Sequence, residues 1–245
     1  MSYFESRLRL DMENFEEIKN KFSVCEKLGI RNVIVEPVGN FRNLGTDLRE
    51  KLESLTKMHI YYRISLQPKN VDDLKNKLST KILSANKKLP IILSIETPIK
   101  EIQIQAAKDS RVDVITFTNP QTMKTLTPGV ISLSKQNRSF IEISLSSMMV
   151  VNKAQQSKNF RELYRIIHLV KSLRGTLLIN GNFEDQYHLR HPRSLISICH
   201  TLLGLSMIDA KKAFNENVKI LIERVYDRYD KNFIEYGIKF IEGSD

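Results

Sequence analysis

Alternation is the feature that most constrains what this chain can fold into. Short apolar runs rich in β-branched residues take turns with longer stretches whose apolar residues recur at helical spacing. An apolar run at Tyr3–Leu10 gives way at Asp11, a good N-cap, to Phe15, Ile18, Phe22, Cys25 and Leu28, and Gly29 closes that helix. "NVIVEP", "IYYRISL", "PIILSIE", "DVITFT" and "TLLIN" read as further strands. Between them lie helices carrying Leu48, Leu52 and Leu55 (with Thr46 as cap), Asn70–Leu78, a segment opened by Thr97-Pro98, another opened by Asn119-Pro120, and Ser157–Leu173. After "TLLIN" come a helix over Pro192–Leu203 closed by Gly204 and another that Ser206 and Asp209 open as a capping box. It continues to about Tyr229, and "GIKFIE" follows as a last strand.

Strand–helix repetition of this kind means a mainly parallel sheet covered by helices. One place breaks the rhythm. "GVISLS" and "SFIEISL" both read as strands, yet only "KQNR" separates them. A parallel crossover needs about a dozen residues, so one of the two is extra or pairs as a hairpin. The expectation is a TIM-like (β/α) barrel with one or two extra strands, filling residues 1–245 as a single domain, since no Pro/Gly/Ser-rich linker divides the chain. No GxGxxG follows the first strand and no GxxxxGK[ST] occurs, which removes the usual nucleotide-binding readings.

Charge narrows the function. The net charge is +10, and it is localised: residues 1–60 are balanced, 61–120 carry +4, 121–200 carry +7 and 201–245 carry −1. A basic excess gathered in the middle of the chain points to a polyanionic partner, because neutralising phosphates releases counterions. Cys25 and Cys199 are far apart, each in an apolar helical pattern, and read as core residues in a reducing cytosol. The charged N-terminal stretch is no signal peptide, and no apolar run is long enough to span a membrane.

In a barrel of this type chemistry sits at the C-terminal ends of the strands. Those ends carry Arg9, Glu36, Gln67, Glu96, Thr118, Ser146 and Asn180, with no His or Cys among them. Glu36 and Glu96 are a candidate acid–base pair; the competing reading is that each meets a helix N-terminus or a neighbouring Lys or Arg. The stretch "EDQYHLRHPRSLISICH", Glu184 to His200, collects three of the five histidines. Pro192 marks a helix start, so His188 and His191 precede the helix instead of sharing one of its faces, and His200 lies within it. That weakens a metal reading and favours Arg190 and Arg193 as guanidiniums beside a helix N-terminus, an arrangement suited to phosphate. Lys158, Arg161 and Arg165 recur at spacings of three and four and fall on one helix face, with Lys153 before them, while Phe160 and Tyr164 share another face and read as core.

"VDVITF", "FIEISLSSMM", a basic helix, and then "LLINGNFEDQYHLRHPRSLISICHTLLGLSMIDAKKAFNENVKILIERV" together resemble the archaeal ribonuclease P protein component 3 family, whose eukaryotic relative is the thirty-kilodalton subunit of nuclear ribonuclease P. The family pattern falls on Leu178–Asn180, Arg190–Pro192, Leu202–Leu205, Ser206–Ala210 and Asn217–Arg224. The resemblance implies a barrel related to the polymerase-and-histidinol-phosphatase metallohydrolases. There the first strand ends in an HxH metal motif, whereas the corresponding "SRLRL" here carries arginine. It therefore implies no metal, no cofactor and no catalytic residue in this chain, which would serve in the cytoplasm as a protein of the ribonuclease P holoenzyme, an endoribonuclease whose RNA removes the 5′ leader of precursor tRNA. Implied partners are the ribonuclease P RNA, protein component 2 and the other holoenzyme proteins, with precursor tRNA met indirectly and no membrane. Candidate RNA contacts are Arg190 and Arg193 first, then Lys158, Arg161, Arg165 and Arg138. The alternative is a metal-dependent phosphoesterase of the polymerase-and-histidinol-phosphatase type, built on Glu36, Glu96 and the histidines of the 184–200 stretch.

Overall fold

Seven strands form one sheet in sequence order, and every pair of neighbours is parallel. The structure, a computed structural model, describes residues 3–38, 44–79, 89–182, 185–230, 233–235 and 238–239. The strands are β1 (Tyr3–Leu10), β2 (Ile30–Pro37), β3 (His59–Leu66), β4 (Ile91–Glu96), β5 (Val114–Phe117), β6 (Phe140–Ser144) and β7 (Leu177–Asn180). Between them run α1 (Phe15–Lys27), α2 (Thr46–Ser54), α3 (Val71–Ser79), α4 (Lys100–Lys108), α5 (Pro120–Met123), α6 (Pro128–Gln136) and α7 (Lys153–Ser172). After β7 come a 3-10 turn (Gln186–His188), α8 (Pro192–Thr201), α9 (Met207–Lys211), a π turn (Lys212–Glu216) and α10 (Asn217–Asp227). This is a TIM-like barrel, nearly closed: β1 and β7 approach each other but share no backbone ladder. Glu5 of β1 faces the seam, with the backbone N–H of Gly181 just past β7 favouring its charged form.

Alternation along each strand sorts the core into two parts. Val33, Val35, Leu93, Ile95, Ile115, Phe117, Ile141, Ile143 and Ile179 point outward into the large cluster shared with the helices. Phe4, Ile34, Ile92, Val114, Phe140 and Leu178, from the opposite faces and nearer the strands' N-terminal ends, form a second cluster with Val218, Leu221, Ile222 and Val225 of α10. The last long helix thus stoppers the N-terminal end of the barrel. Each of those four side chains contributes on the order of 1.5–3 kcal/mol by burial. The plug is also pinned. Arg228 donates to Asp113 Oδ2 at 2.7 Å, and Arg224 donates to the carbonyls of Asn137 and Arg138 and, at 3.1 Å, of Ser110.

Two sequence-based strands fare differently from the rest. "GVISLS" is the helix α6: Thr127 caps it by accepting Val130 N–H, Pro128 opens it, and Val130, Ile131 and Ser134 make its buried face. A cap followed by proline outweighs the β-branched content of the run. That removes the crowding before β6, since "KQNR" joins a helix to a strand, and Arg138 takes a positive φ of 56° in that turn. From "GIKFIE", Ile238–Lys239 (β9) pairs antiparallel with Phe233–Glu235 (β8) in a separate two-stranded sheet and is no eighth barrel strand. The remaining residues of that segment, Gly237 and Phe240–Glu242, lie outside the described residues, as do Phe183 and Glu184. Among the described residues no helix is long and apolar enough to cross a membrane.

Candidate functional site

Above the apolar plug the barrel interior is ionic. The next inward-facing positions bring Arg7, Glu36, Arg63, Ser94, Thr116 and Glu142 into one buried group. Arg63, 1 % exposed, makes a two-pronged pair with Glu142, 2.6 Å from Nη1 to Oε1, and its Nη2 also donates to Thr116 Oγ1 at 2.8 Å. Its Nε donates to Ser94 Oγ at 3.0 Å and lies 3.1 Å from Glu36 Oε2. Arg7 donates from Nε and Nη2 to the two oxygens of Glu36, both at 2.8 Å, and from the same Nη2 to Glu96 Oε2 at 2.9 Å. Thr118 donates to the other oxygen of Glu96, and Arg9 sits at the rim with Nε 3.8 Å from Glu36 Oε1.

Three arginines therefore face three carboxylates. Burial alone would raise the Glu36 carboxyl, but the charges of Arg63 and Arg7 outweigh it and hold the group at about 2. Glu142 is shifted the same way: burial opposes ionisation and Arg63 overrides it. Glu5 differs. It lacks a guanidinium partner among the described residues, so desolvation pushes it up to about 7 despite N–H donors from Arg7 and Gly181.

This decides between the two readings of Glu36 and Glu96. They do converge, but on the guanidinium of Arg7. A general acid–base pair needs carboxyls free to exchange protons with a substrate, and a cation entering here would have to displace Arg7. Among the described residues no group of three or more His, Cys, Asp or Glu is placed to hold a metal ion. Arg63 and Glu142 are the residues the sequence reading missed, and the role of Arg7, noted only within "SRLRL", was missed with them. For Arg63 and Glu142 the signal was present as a single charged residue inside an apolar strand run, in "YYRISL" and "FIEIS".

Among the described residues the 184–200 stretch contains no ligand cluster. His191 is the N-cap of α8, its Nδ1 accepting from Arg193 N–H at 3.1 Å. His200 Nδ1 is 2.7 Å from the Leu205 carbonyl oxygen, and His188 ends the 3-10 turn. Arg190 and Arg193 are exposed on either side of Pro192, the first residue of α8. Arg190 Nη1 donates to the carbonyls of Tyr187 (2.7 Å) and Leu189 (2.9 Å); Arg193 Nε donates to Tyr3 Oη at 2.6 Å. Neither is paired with a carboxylate among the described residues.

The α7 face divides. Lys158 and Arg161 are exposed, and Arg161 makes only a long contact, 3.4 Å, to the Ser157 carbonyl. Arg165 is committed, 3.0 Å from Glu162 Oε2 and 3.2 Å from the Met123 carbonyl. Phe160 packs against the core, but Tyr164 is half-exposed with its ring on His168. The positions are also dispersed around the barrel. α7 packs on β6 and β7, the 3-10 turn touches α1, and Arg138 lies before β6, at the plugged N-terminal end.

Comparison with known proteins gives one family by sequence profile and the same fold among solved structures. The profile described as RNase P subunit p30 matches residues 5–230. A chain in the cryo-electron microscopy structure of archaeal ribonuclease P with mature tRNA superposes with a TM-score of 0.78 at 15% identity, covering 99% of both chains. The crystal structure of an uncharacterized protein superposes at 0.64 and 7% identity, covering 98% of this chain and 77% of that one. Nothing among curated proteins matches the chain in sequence.

Proposed function

We propose, because the chain belongs to the RNase P subunit p30 family, that it is a protein subunit of ribonuclease P that binds and orders the catalytic RNA in the cytoplasm and performs no hydrolysis itself. The observation that carries this reading is the family match over residues 5–230. The barrel interior supports it from the chemical side. The carboxylates that a phosphoesterase would turn to metal or substrate are neutralised by Arg7, Arg63 and Arg9.

On this reading the surface does the work. Arg190 and Arg193, then Lys158 and Arg161, neutralise phosphates and hold an RNA fold competent for cleavage. Arg165 and Arg138 contribute less, the first because Glu162 already compensates its charge, the second because it sits at the opposite end of the barrel from the loop that follows β7. Protein component 2 and the remaining holoenzyme proteins are the proposed partners, with precursor tRNA engaged through the assembled RNA. Reconstitution tests it: the chain, protein component 2 and the ribonuclease P RNA should cleave precursor tRNA faster than the RNA alone at moderate Mg²⁺. Equal rates with and without the chain would sink the proposal, as would phosphoesterase activity of the isolated chain that depends on added Mn²⁺ or Zn²⁺.

A further inference from the structure

One exposed ring is mounted unlike the others. Tyr187 is 76% exposed, against 46% for Tyr164 and 48% for Tyr226. Those two use a ring surface within the protein: Tyr164 lies 4.1 Å from the His168 ring, and Tyr226 stands edge-on to Tyr61 at 6.2 Å. Tyr187 has no ring partner among the described residues. Its backbone is nevertheless fixed. Asp185 caps the turn by accepting Tyr187 N–H at 2.9 Å, His188 N–H closes on the Asp185 carbonyl at 3.0 Å, and the neighbouring Leu189 is buried. Arg190 clamps the other side by donating Nη1 to the Tyr187 carbonyl, which leaves Nε and Nη2 of an exposed guanidinium unused by the described residues.

We infer that Tyr187 is a stacking platform for an unpaired RNA base, with Arg190 gripping the adjoining phosphate. This rests on the RNA-subunit reading above and adds to it: that reading asks only for phosphate neutralisation, whereas a ring beside a guanidinium recognises a splayed-out nucleotide in a loop or bulge. A rigid turn suits the task, because little freedom remains to be lost on binding. The surroundings choose RNA over protein. From Gln186 to His200 there is no acidic residue, the adjacent Asp185 carboxylate is engaged as the cap of the turn, and the residues beside the ring, Gln186, His188 and Arg190, are polar. An aromatic anchor for a protein partner sits instead among water-excluding neighbours.

The chain contains no tryptophan, so Tyr187→Trp places a single indole at the turn. Its emission should be quenched by ribonuclease P RNA and by a short oligoadenylate, and left unchanged by inorganic polyphosphate, which offers charge without bases. Tyr187→Ala should weaken binding of ribonuclease P RNA roughly tenfold, with an unchanged dependence on salt, because stacking releases no counterions. Tyr187→Phe should bind like the parent. Equal quenching by polyphosphate, or parental affinity in Tyr187→Ala, overturns the platform and leaves the RNA-subunit reading standing. So does loss of protein component 2 binding with RNA binding intact, which would make the ring part of a protein interface. No RNA binding by the parent chain, alone or with protein component 2, overturns the RNA-subunit reading itself and the platform with it.

Discussion

The arginines inside the barrel and those on the loop after β7 are the same side chain put to opposite uses. Arg7 and Arg63 lie buried against Glu36, Glu96 and Glu142. Arg190 and Arg193 meet carbonyl and hydroxyl oxygens and are exposed. Both sets are hydrogen-bonded, so hydrogen bonding does not separate them; charge compensation does. A guanidinium held by carbonyls keeps its full positive charge for an external anion. One held by carboxylates has none to offer and serves to close a structure. A barrel interior of this kind normally fills with branched apolar residues. Filling it with ion pairs demands that every charge be met, because a buried charge left alone is far more costly than a pair is favourable.

The largest test removes one carboxylate from the interior and one from the surface. Glu142→Ala removes the two-pronged partner of Arg63 and leaves it only a share of Glu36, which should cost about 3–5 kcal/mol. Glu162→Ala, which frees the exposed Arg165, should cost less than about 1 kcal/mol. Urea denaturation of the two variants measures both. If the costs come out equal, the interior charges are screened by solvent and the contrast fails. Replacing Arg63 and Glu142 together with apolar residues of similar volume should recover most of the loss, since it is the uncompensated charge that destabilises.

Glu5 sharpens the same contrast at the seam. Its carboxyl is raised by burial to about 7 from an ordinary value of 4.5. A raised carboxyl favours the folded state fully below the unfolded value and loses that advantage as pH climbs through the folded one. Wild-type stability should therefore decline between about pH 4.5 and 7 on this group's account, by up to about 3 kcal/mol, and then level off. Glu36, held at about 2, acts in the reverse sense: its contribution is present above about pH 4.5 and is lost as pH falls toward 2. Glu5→Gln should be no more stable than the parent at pH 4.5 and more stable at pH 8. Parallel stability curves for the two proteins across that range would contradict the assignment.

The alternation in the sequence was enough for the barrel, because a parallel sheet writes its outward face and its helices in the same apolar code. It was not enough for α6, where "GVISLS" is β-branched and only Thr127-Pro128 reveals a helix. Nor did it reveal the plug: α10 is an ordinary amphipathic helix in sequence, and what its apolar face covers is settled by the fold. At the strand ends, the competing reading of Glu36 and Glu96, contact with a neighbouring arginine, is the one the structure shows, but that partner sits mid-strand and no local spacing connects Arg7 to residues 29 and 89 positions away. The surface arginines of the 184–200 stretch were legible because the proline that opens a helix fixes what lies on either side of it. Tyr187 was not, since its importance lies in its exposure.

The smallest expected effect is on stability, and it carries the functional half of the comparison. Arg190→Ala with Arg193→Ala removes two exposed cations that neutralise no carboxylate among the described residues, so unfolding free energy should move by no more than about 0.5 kcal/mol per site. RNA binding should respond instead. If each arginine meets one phosphate of a single-stranded segment, the slope of log affinity against log salt should fall by about 1.4 in the double variant. Arg165→Ala, whose charge is already met by Glu162, should leave the slope nearly unchanged. Arg193→Lys keeps the charge and should keep the slope while giving up the planar contact to Tyr3. A double variant that unfolds more easily yet binds RNA with the parental salt slope would place these two arginines with Arg7 and Arg63, as structural cations. The loop after β7 would then lose its claim to the RNA.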